Sequence, residues 1–280
     1  MAANQASNVQ TLDIKIISLN ISGLRTKTAF LKHFLIQNKP DILCLQETNI
    51  SDNYSRNKAI FELGLEIETS FFNYPNSKSN GTAIFCISPN LKVVDVSMFD
   101  EGRTIFLKLS YDSVKFMIVN IYAPTNPTQR RAFFDSLSTK IENNSYNKDL
   151  VVAGDFNITT QDIDITGISG TNRIGRPELN NIIRTFKLKD AFRALFPSKV
   201  ETTFHNKNIS RAARLDRIYV SEHYPIAYAS HIASTLHYTD HKAVSISLSN
   251  VVSYSNKKNN ICSLEVQRHI IRKRKFCSSD

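Results

Sequence analysis

The chain has 280 residues, 41% of them hydrophobic, 21% charged and 10% aromatic, with a formal net charge of +10. That composition suits a chain that buries a core, and no apolar run approaches the ~18 residues that a membrane-crossing helix needs. The basic balance points to a polyanionic partner, nucleic acid ahead of a membrane surface, with plain solubility as the other reading.

Residues 1–11 are polar and read as a frayed tail. Leu12 to Leu19 alternates as a strand. Thr26 to Gln37 carries Phe30, Leu31, Phe34 and Leu35 at helical spacing, and Asn38-Lys39-Pro40 stops it. Ile42 to Gln46 is a short buried strand, and a helix is expected near 57–63. Strands follow at 66–72, 81–88, 91–96, 104–109 and 114–121. Thr128 to Ile141 is a helix, Leu150 to Ala153 a buried strand, and Glu178 to Phe186 a helix opened by Pro177. Strands near 215–220, 226–234 and 243–248 close a domain spanning 12–250. Residues 251–280 carry seven basic and two acidic side chains and read as a basic tail or linker. Many strands and few helices in two consecutive β-rich halves predict an α/β fold, two face-to-face sheets with helices outside.

The four cysteines, Cys44, Cys86, Cys262 and Cys277, make no close pair. This argues against a disulfide framework or a zinc site and fits a reducing compartment. The N-terminus has no secretory pattern.

Several strands end in polar residues that a core would not accept: Asn20, Glu47, Tyr122, Asp155 with Asn157, Asp216, and the Thr239-Asp240-His241 run. Taken singly, each has an ordinary reading as a turn, a cap or a solvated group. Taken together they make a chemical set. Asp155 and Asn157 are two apart and face one side of an extended chain. A buried Asp216 needs a partner, and His241 is a suitable one. Glu47 and Asn20 offer oxygen ligands to a hard cation such as Mg2+. An acid for the metal, an acid for water and an acid-backed histidine match metal-assisted attack on a phosphate ester.

The motifs are Ser18-Leu19-Asn20-Ile21-Ser22-Gly23-Leu24, Gln46-Glu47-Thr48, Asn120-Ile121-Tyr122-Ala123-Pro124, Gly154-Asp155-Phe156-Asn157, Thr203-Phe204, Leu215-Asp216-Arg217-Ile218-Tyr219-Val220 and Thr239-Asp240-His241. In this order they resemble the exonuclease-endonuclease-phosphatase superfamily, and more narrowly the AP-endonuclease-like endonuclease domain of LINE-type (non-LTR) retrotransposons. The resemblance implies a four-layer, DNase I-like α/β sandwich. It implies Mg2+, with Mn2+ able to substitute, on Glu47 and Asn20. It gives Asp155 the attacking water, Asn157 the phosphate and that water, and Tyr122 the phosphate or leaving group. His241 would stabilise the transition state, Asp216 would orient it, and Asp240 would support the metal or the water. Ser22 stands where repair enzymes usually carry an acid, which favours the retrotransposon branch, and Ala212-Ala213-Arg214 stands where they tend to carry a bulky wall to an abasic pocket, which argues against tight abasic-site recognition.

By the same resemblance the substrate is double-stranded DNA. Contacts are expected from Thr203, from Lys207, Arg211 and Arg214 in the 205–214 loop, from Arg173 and Arg176 in the 166–176 loop, and from Arg25 and Lys27. The implied activity nicks one strand and leaves a 3′-hydroxyl that primes reverse transcription of the element RNA. A reverse transcriptase domain would follow C-terminally in the same polypeptide, in the nucleus and away from membranes. The other readings are a repair-type AP endonuclease or 3′-exonuclease, and a domesticated DNA-binding domain without catalysis. The Arg272-Lys273-Arg274-Lys275 run reads as a nuclear signal, a nucleic-acid arm or a plain basic linker.

Overall fold

In the computed structural model the described residues are 12–74, 80–111, 114–144, 146, 148–166, 173–206 and 211–251. The expected N-terminal tail lies outside them, and so does the basic tail beyond Val251.

The elements follow the apolar periodicity. Strand β1 (Leu12–Asn20) leads through α1 (Thr28–Asn38) to β2 (Ile42–Gln46). Lys39 turns left-handed at the end of α1, where Pro40 bars continuation. Helix α2 (Asn53–Leu63) is capped by the Asp52 side chain, which accepts from Ser55 N, and ends on Gly64. Then come β3 (Ser70–Asn73), β4 (Thr82–Cys86), β5 (Lys92–Phe99), β6 (Thr104–Tyr111) and β7 (Val114–Tyr122). The strand expected from residue 66 begins instead with a 3-10 turn at Ile67–Thr69. Helix α3 (Pro127–Glu142) is opened by the Asn126 side chain with Pro127 in its first turn. It leads to β8 (Leu150–Asp155), the two-residue β9 (Ile165–Thr166) and α4 (Arg176–Thr185). After β10 (Leu188–Asp190) come α5 (Ala191–Leu195), β11 (Phe204–Asn206) and β12 (Arg211–Ala213). The chain closes with β13 (Asp216–Ser221), β14 (Ile226–Ile232) and β15 (Ala243–Val251).

Two six-stranded sheets result, ordered β14-β15-β1-β2-β4-β3 and β10-β13-β8-β7-β6-β5, with a small third sheet β11-β12-β9. The pairs β1–β2 and β7–β8 are parallel, and the other ladders are antiparallel. Side chains alternate faces along a strand, so each sheet buries two sets. Ile16, Cys44, Ile84, Ile118, Val151 and Ile218 fill the space between the sheets. Leu19, Leu43, Leu31, Phe34 and Ile60 pack the first sheet against α1 and α2. Val119, Val152, Phe134, Leu137 and Ile182 pack the second against α3 and α4. The architecture is the four-layer α/β sandwich that the resemblance implied. Cys44 and Cys86 are buried and free, and among the described residues no helix is long and apolar enough to cross a membrane.

Candidate active site

Strand parity builds the site. On β1, Ile14 and Ile16 face the space between the sheets, so Ser18 and Asn20 face it too. The same two-residue step carries Cys44 to Gln46, Ile118 to Asn120 and Tyr122, Ala153 to Asp155, and Ile218 back to Asp216. The inter-sheet core therefore turns from hydrocarbon to polar at one end. The first polar layer is structural. Gln46 Nε2 donates to Asn120 Oδ1 at 2.7 Å and to Ser18 Oγ at 3.1 Å. Asn120 Nδ2 donates across the sheets to the carbonyls of Leu45 and Ala83, both at 2.9 Å.

The next layer holds the chemistry. Asn20 Nδ2 bridges two acids, donating to Glu47 Oε1 at 2.8 Å and Asp155 Oδ2 at 3.0 Å. Ser22 N donates to Asn20 Oδ1 at 3.1 Å. Glu47 sits just past β2 with a left-handed backbone, φ +52°. Asp155 Oδ1 accepts from Asn157 N at 2.9 Å, and Asn157 Nδ2 donates to Ala123 O at 2.8 Å. Asn157 is not in extended chain: β8 ends at Asp155 and Asn157 has φ +50°. The two residues meet through a turn, which corrects the shared-face argument. Gly154 lets β8 run against β7. A Cβ there would lie 2.0 Å from Ile121 O, and its φ of +143° disfavours any side chain.

His241 enters from the turn before β15. Its Nδ1 is 2.8 Å from Asp216 Oδ2, and its Nε2 is 4.0 Å from Asp155 Oδ2 and 3.9 Å from Asp240 Oδ1. Thr235 Oγ1 donates to His241 O at 2.8 Å, and Thr239 Oγ1 donates to Asn20 O at 3.0 Å, tying this turn to β1. Burial alone would lower the His241 pKa, but the Asp216 charge and hydrogen bond, then Asp155 and Asp240, raise it to about 10. The surrounding carboxylates therefore favour the protonated ring. One N–H is held by Asp216 and the other points toward Asp155 and Asp240. Burial first, then the charge of Asp216, raises Asp155 to about 7. Burial, followed by the charges of Glu47 and Asp155 and a hydrogen bond to Glu47, raises Tyr122, so its phenol stays protonated.

Asp155, Asp216 and His241 each bring a ligand atom within 4.8 Å of the others. The imidazole nitrogen facing Asp216 is already engaged, so this trio is an acid–imidazole–acid chain. The side chains that could hold a hard divalent cation are instead Glu47 and Asn20, which offer oxygen and no sulfur, with Glu47 only half-buried.

The expected DNA contacts divide. Arg25 and Arg173 are exposed, paired with Asp52 at 3.2 Å and Asp162 at 3.3 Å. Arg176 turns inward, its Nε donating to Thr159 O at 2.9 Å. Lys207 lies outside the described residues; Arg211 has its backbone in β12. Two expectations are corrected. Arg214 is buried, with Nε 2.8 Å from Asp164 Oδ1 and Nη2 2.7 Å from Asp190 Oδ2, so it cannot reach DNA. Thr203 is fully buried too. Its Oγ1 accepts from Leu215 N and Asp216 N, both at 3.0 Å, and thereby positions Asp216. Sequence reading gave no role to Arg103, whose guanidinium lies 5.1 Å over the Tyr122 ring and donates to Tyr122 O at 3.2 Å. Its place at the turn into β6, beside the end of β7, was the available signal. Lys27, expected with Arg25 as a DNA contact, is half-buried instead. Its Nζ donates to the carbonyls of Ile21 and Ser22, both at 2.6 Å, beside Glu47 and Asp240.

A sequence model of the Endonuclease/Exonuclease/phosphatase family matches residues 17–241, a span that includes every residue of this site. The chain belongs to this family. By its description that family comprises endonucleases, exonucleases and phosphatases. Among family relatives, the transposon TX1 149 kDa protein of Xenopus laevis is 27% identical over 245 residues, 84% of this chain and 18% of that protein. The exodeoxyribonuclease of Bacillus subtilis is 31% identical over 166 residues, 54% of this chain and 62% of that enzyme. The chain thus spans about a fifth of the transposon protein and under two thirds of the exodeoxyribonuclease. Among solved structures, the AP endonuclease from Archaeoglobus fulgidus superposes with a TM-score of 0.72 at 20% identity, covering 83% of this chain and 98% of that one. The 3′-5′ exonuclease NExo from Neisseria meningitidis gives 0.68 at 21% identity, with the same coverage. At these identities the likeness establishes the fold alone.

Proposed function

We propose that the protein is a Mg2+-dependent DNA endonuclease, with Mn2+ able to substitute, that nicks one strand of duplex DNA. The observation that carries this reading is the pairing of two devices around one carboxylate. The amide of Asn20 joins Glu47 to Asp155 Oδ2, and the Asp216-held imidazole ring of His241 stands 4.0 Å from that same oxygen.

A divalent cation, when bound, supplies positive charge to the phosphate oxygens. Glu47 and Asn20 are the residues to hold it. Asp155, buried and fixed by Asn157 N and Asn20 Nδ2, orients a water and takes its proton as that oxygen attacks phosphorus. His241 donates its free N–H to a non-bridging oxygen, and its positive charge offsets what accumulates there. Asp216 keeps the ring oriented and charged. Asn157 holds the phosphate and the water, Tyr122 faces the phosphate or the leaving oxygen, and Asp240 supports the metal or the water. The P–O3′ bond breaks, O3′ keeps the bonding pair and takes a proton from water, and the products are a 3′-hydroxyl and a 5′-phosphate. Arg25 and Arg173 are the exposed cations suited to backbone phosphates.

The transposon relative supports a finer reading. In it the 3′-hydroxyl primes reverse transcription of an element RNA in the nucleus, with a reverse transcriptase domain in the same polypeptide. The exodeoxyribonuclease relative favours a second reading, a repair-type AP endonuclease or 3′-exonuclease.

Supercoiled plasmid with Mg2+, with Mn2+, with EDTA and with Asp155→Ala tests the first reading, beside a duplex carrying one abasic site. Metal-dependent nicking of intact plasmid, lost in the variant, is the expected result. Cleavage of the abasic duplex alone would move the assignment to repair. Binding without any cleavage would leave a non-catalytic DNA-binding domain.

A further inference from the structure

We infer that Tyr238, stacked on Phe30, forms an aromatic platform on which a nucleotide of the bound DNA strand packs beside the catalytic centre. This rests on the nuclease reading above and deepens it by naming a substrate contact.

The two rings lie nearly parallel, centroids 3.8 Å apart and planes 20° from each other. Phe30, in the first turn of α1, is partly buried against the core under that sheet, while Tyr238 above it is 51% exposed. A single half-exposed aromatic is ordinary on a protein surface. The setting of this one is not. Tyr238 immediately precedes Thr239, whose hydroxyl is bonded to Asn20 O, and lies three residues before His241. Phe30 lies three residues after Lys27, whose ammonium interacts with the carboxylates of Asp240 and Glu47. The platform is thus mounted on the segments that lead into β15 and out of β1, neighbouring strands on the first-sheet side of the site.

The stack fixes Tyr238 in advance, so little side-chain freedom is lost when a ligand lands on it. An exposed aromatic face takes any base or sugar by stacking, and adjacent cations take the backbone phosphates. Lys27 and the half-exposed Arg25 provide those cations. An aromatic face with basic neighbours at the edge of a phosphoesterase centre fits a nucleotide better than an apolar protein surface. Phe61 is more exposed, at 85%, but it stands on α2 amid Lys58 and Glu62 and gives a matched control.

The test is binding of a fluorescein-labelled DNA duplex, read by anisotropy in EDTA so that cleavage plays no part. Base–aromatic stacking predicts that Tyr238→Ala raises Kd about 5- to 150-fold. Tyr238→Phe, which keeps the ring face, should bind within about twofold of the parent, as should Phe61→Ala, with the thermal midpoint of Tyr238→Ala unchanged. Parent-like binding by Tyr238→Ala would overturn the platform and leave the nuclease reading standing. So would an equal loss in Phe61→Ala or Tyr238→Phe, or a fall in thermal midpoint that accounts for the weaker binding. Failure of the parent protein itself to bind DNA would overturn both.

Discussion

Replacing Asp164 with Asn should unfold this protein more readily than any other single isosteric change in its polar interior. Asp164 is fully buried in the 3-10 turn before β9. Its carboxylate accepts from Arg193, from Arg214 Nε at 2.8 Å and Nη2 at 3.3 Å, and from Arg217 Nη2 at 3.3 Å. Arg214 and Arg217 are each 1% exposed. Asn keeps the size and removes the charge, so three guanidinium groups are left with Asp190 as their remaining acid. Breaking a buried ion pair by removing one partner costs about 3–5 kcal/mol. At about 2–4 °C per kcal/mol for a domain of this size, the midpoint should fall by roughly 6–20 °C. Thermal and urea unfolding, with an unchanged m value, measure this. Burial pushes the Asp164 carboxyl up, but Arg217, Arg214 and Arg193 outweigh it and hold the group far below the usual carboxylate range. A depressed folded pKa means that the stabilisation is fully present above the unfolded value of about 4 and is lost as pH falls below it. The gap between parent and variant should therefore be constant at neutral pH and narrow below about pH 4. A loss under about 1 kcal/mol, or a gap that stays constant into strong acid, would refute the account of a dry, charge-held cluster.

Asp155→Ala and His241→Ala should each cut nicking by about 10²–10³ or more in single-turnover assays while duplex affinity is retained. Thr203→Val removes the acceptor for Leu215 N and Asp216 N. It should cost about 1–3 kcal/mol of stability and lower kcat while DNA Kd stays within about twofold; a change in Kd alone would restore Thr203 as a DNA contact. Gly154→Ala drives a Cβ into Ile121 O, so both the unfolding midpoint and nicking should fall, because the displaced ladder carries Tyr122 and Asp155.

Much of this site was legible because strand parity is legible. Polar residues standing where the two-residue step calls for another isoleucine, at Asn20, Asp155 and Asp216, are the ones that the fold gathers. Gln46 and Asn120 obeyed the same rule, yet drew attention only as letters of a motif. The small sheet went unread, since β9 has two residues and β11 and β12 have three each, too short to show a period. Arg214 misled for a different reason. A basic residue in a polar loop reads as surface, and its partners Asp164 and Asp190 lie 50 and 24 residues earlier in the chain. Asn157 was found on a false premise, because a left-handed turn is invisible in alternation.

The amide layer of Gln46, Asn120 and Ser18 has a mechanical meaning. Asn20 and Glu47 come from one sheet and Asp155 and Asp216 from the other, so the gap between sheets is also the distance between the two halves of the chemistry. Asn120 pins that gap by reaching across to two carbonyls of the facing strands. The deep hydrocarbon below it acts as a spacer, and its thickness is set by residues such as Ile118 and Ile16. Resizing a methyl group several residues below the cleft would therefore be felt at the site as well as in the packing of the core.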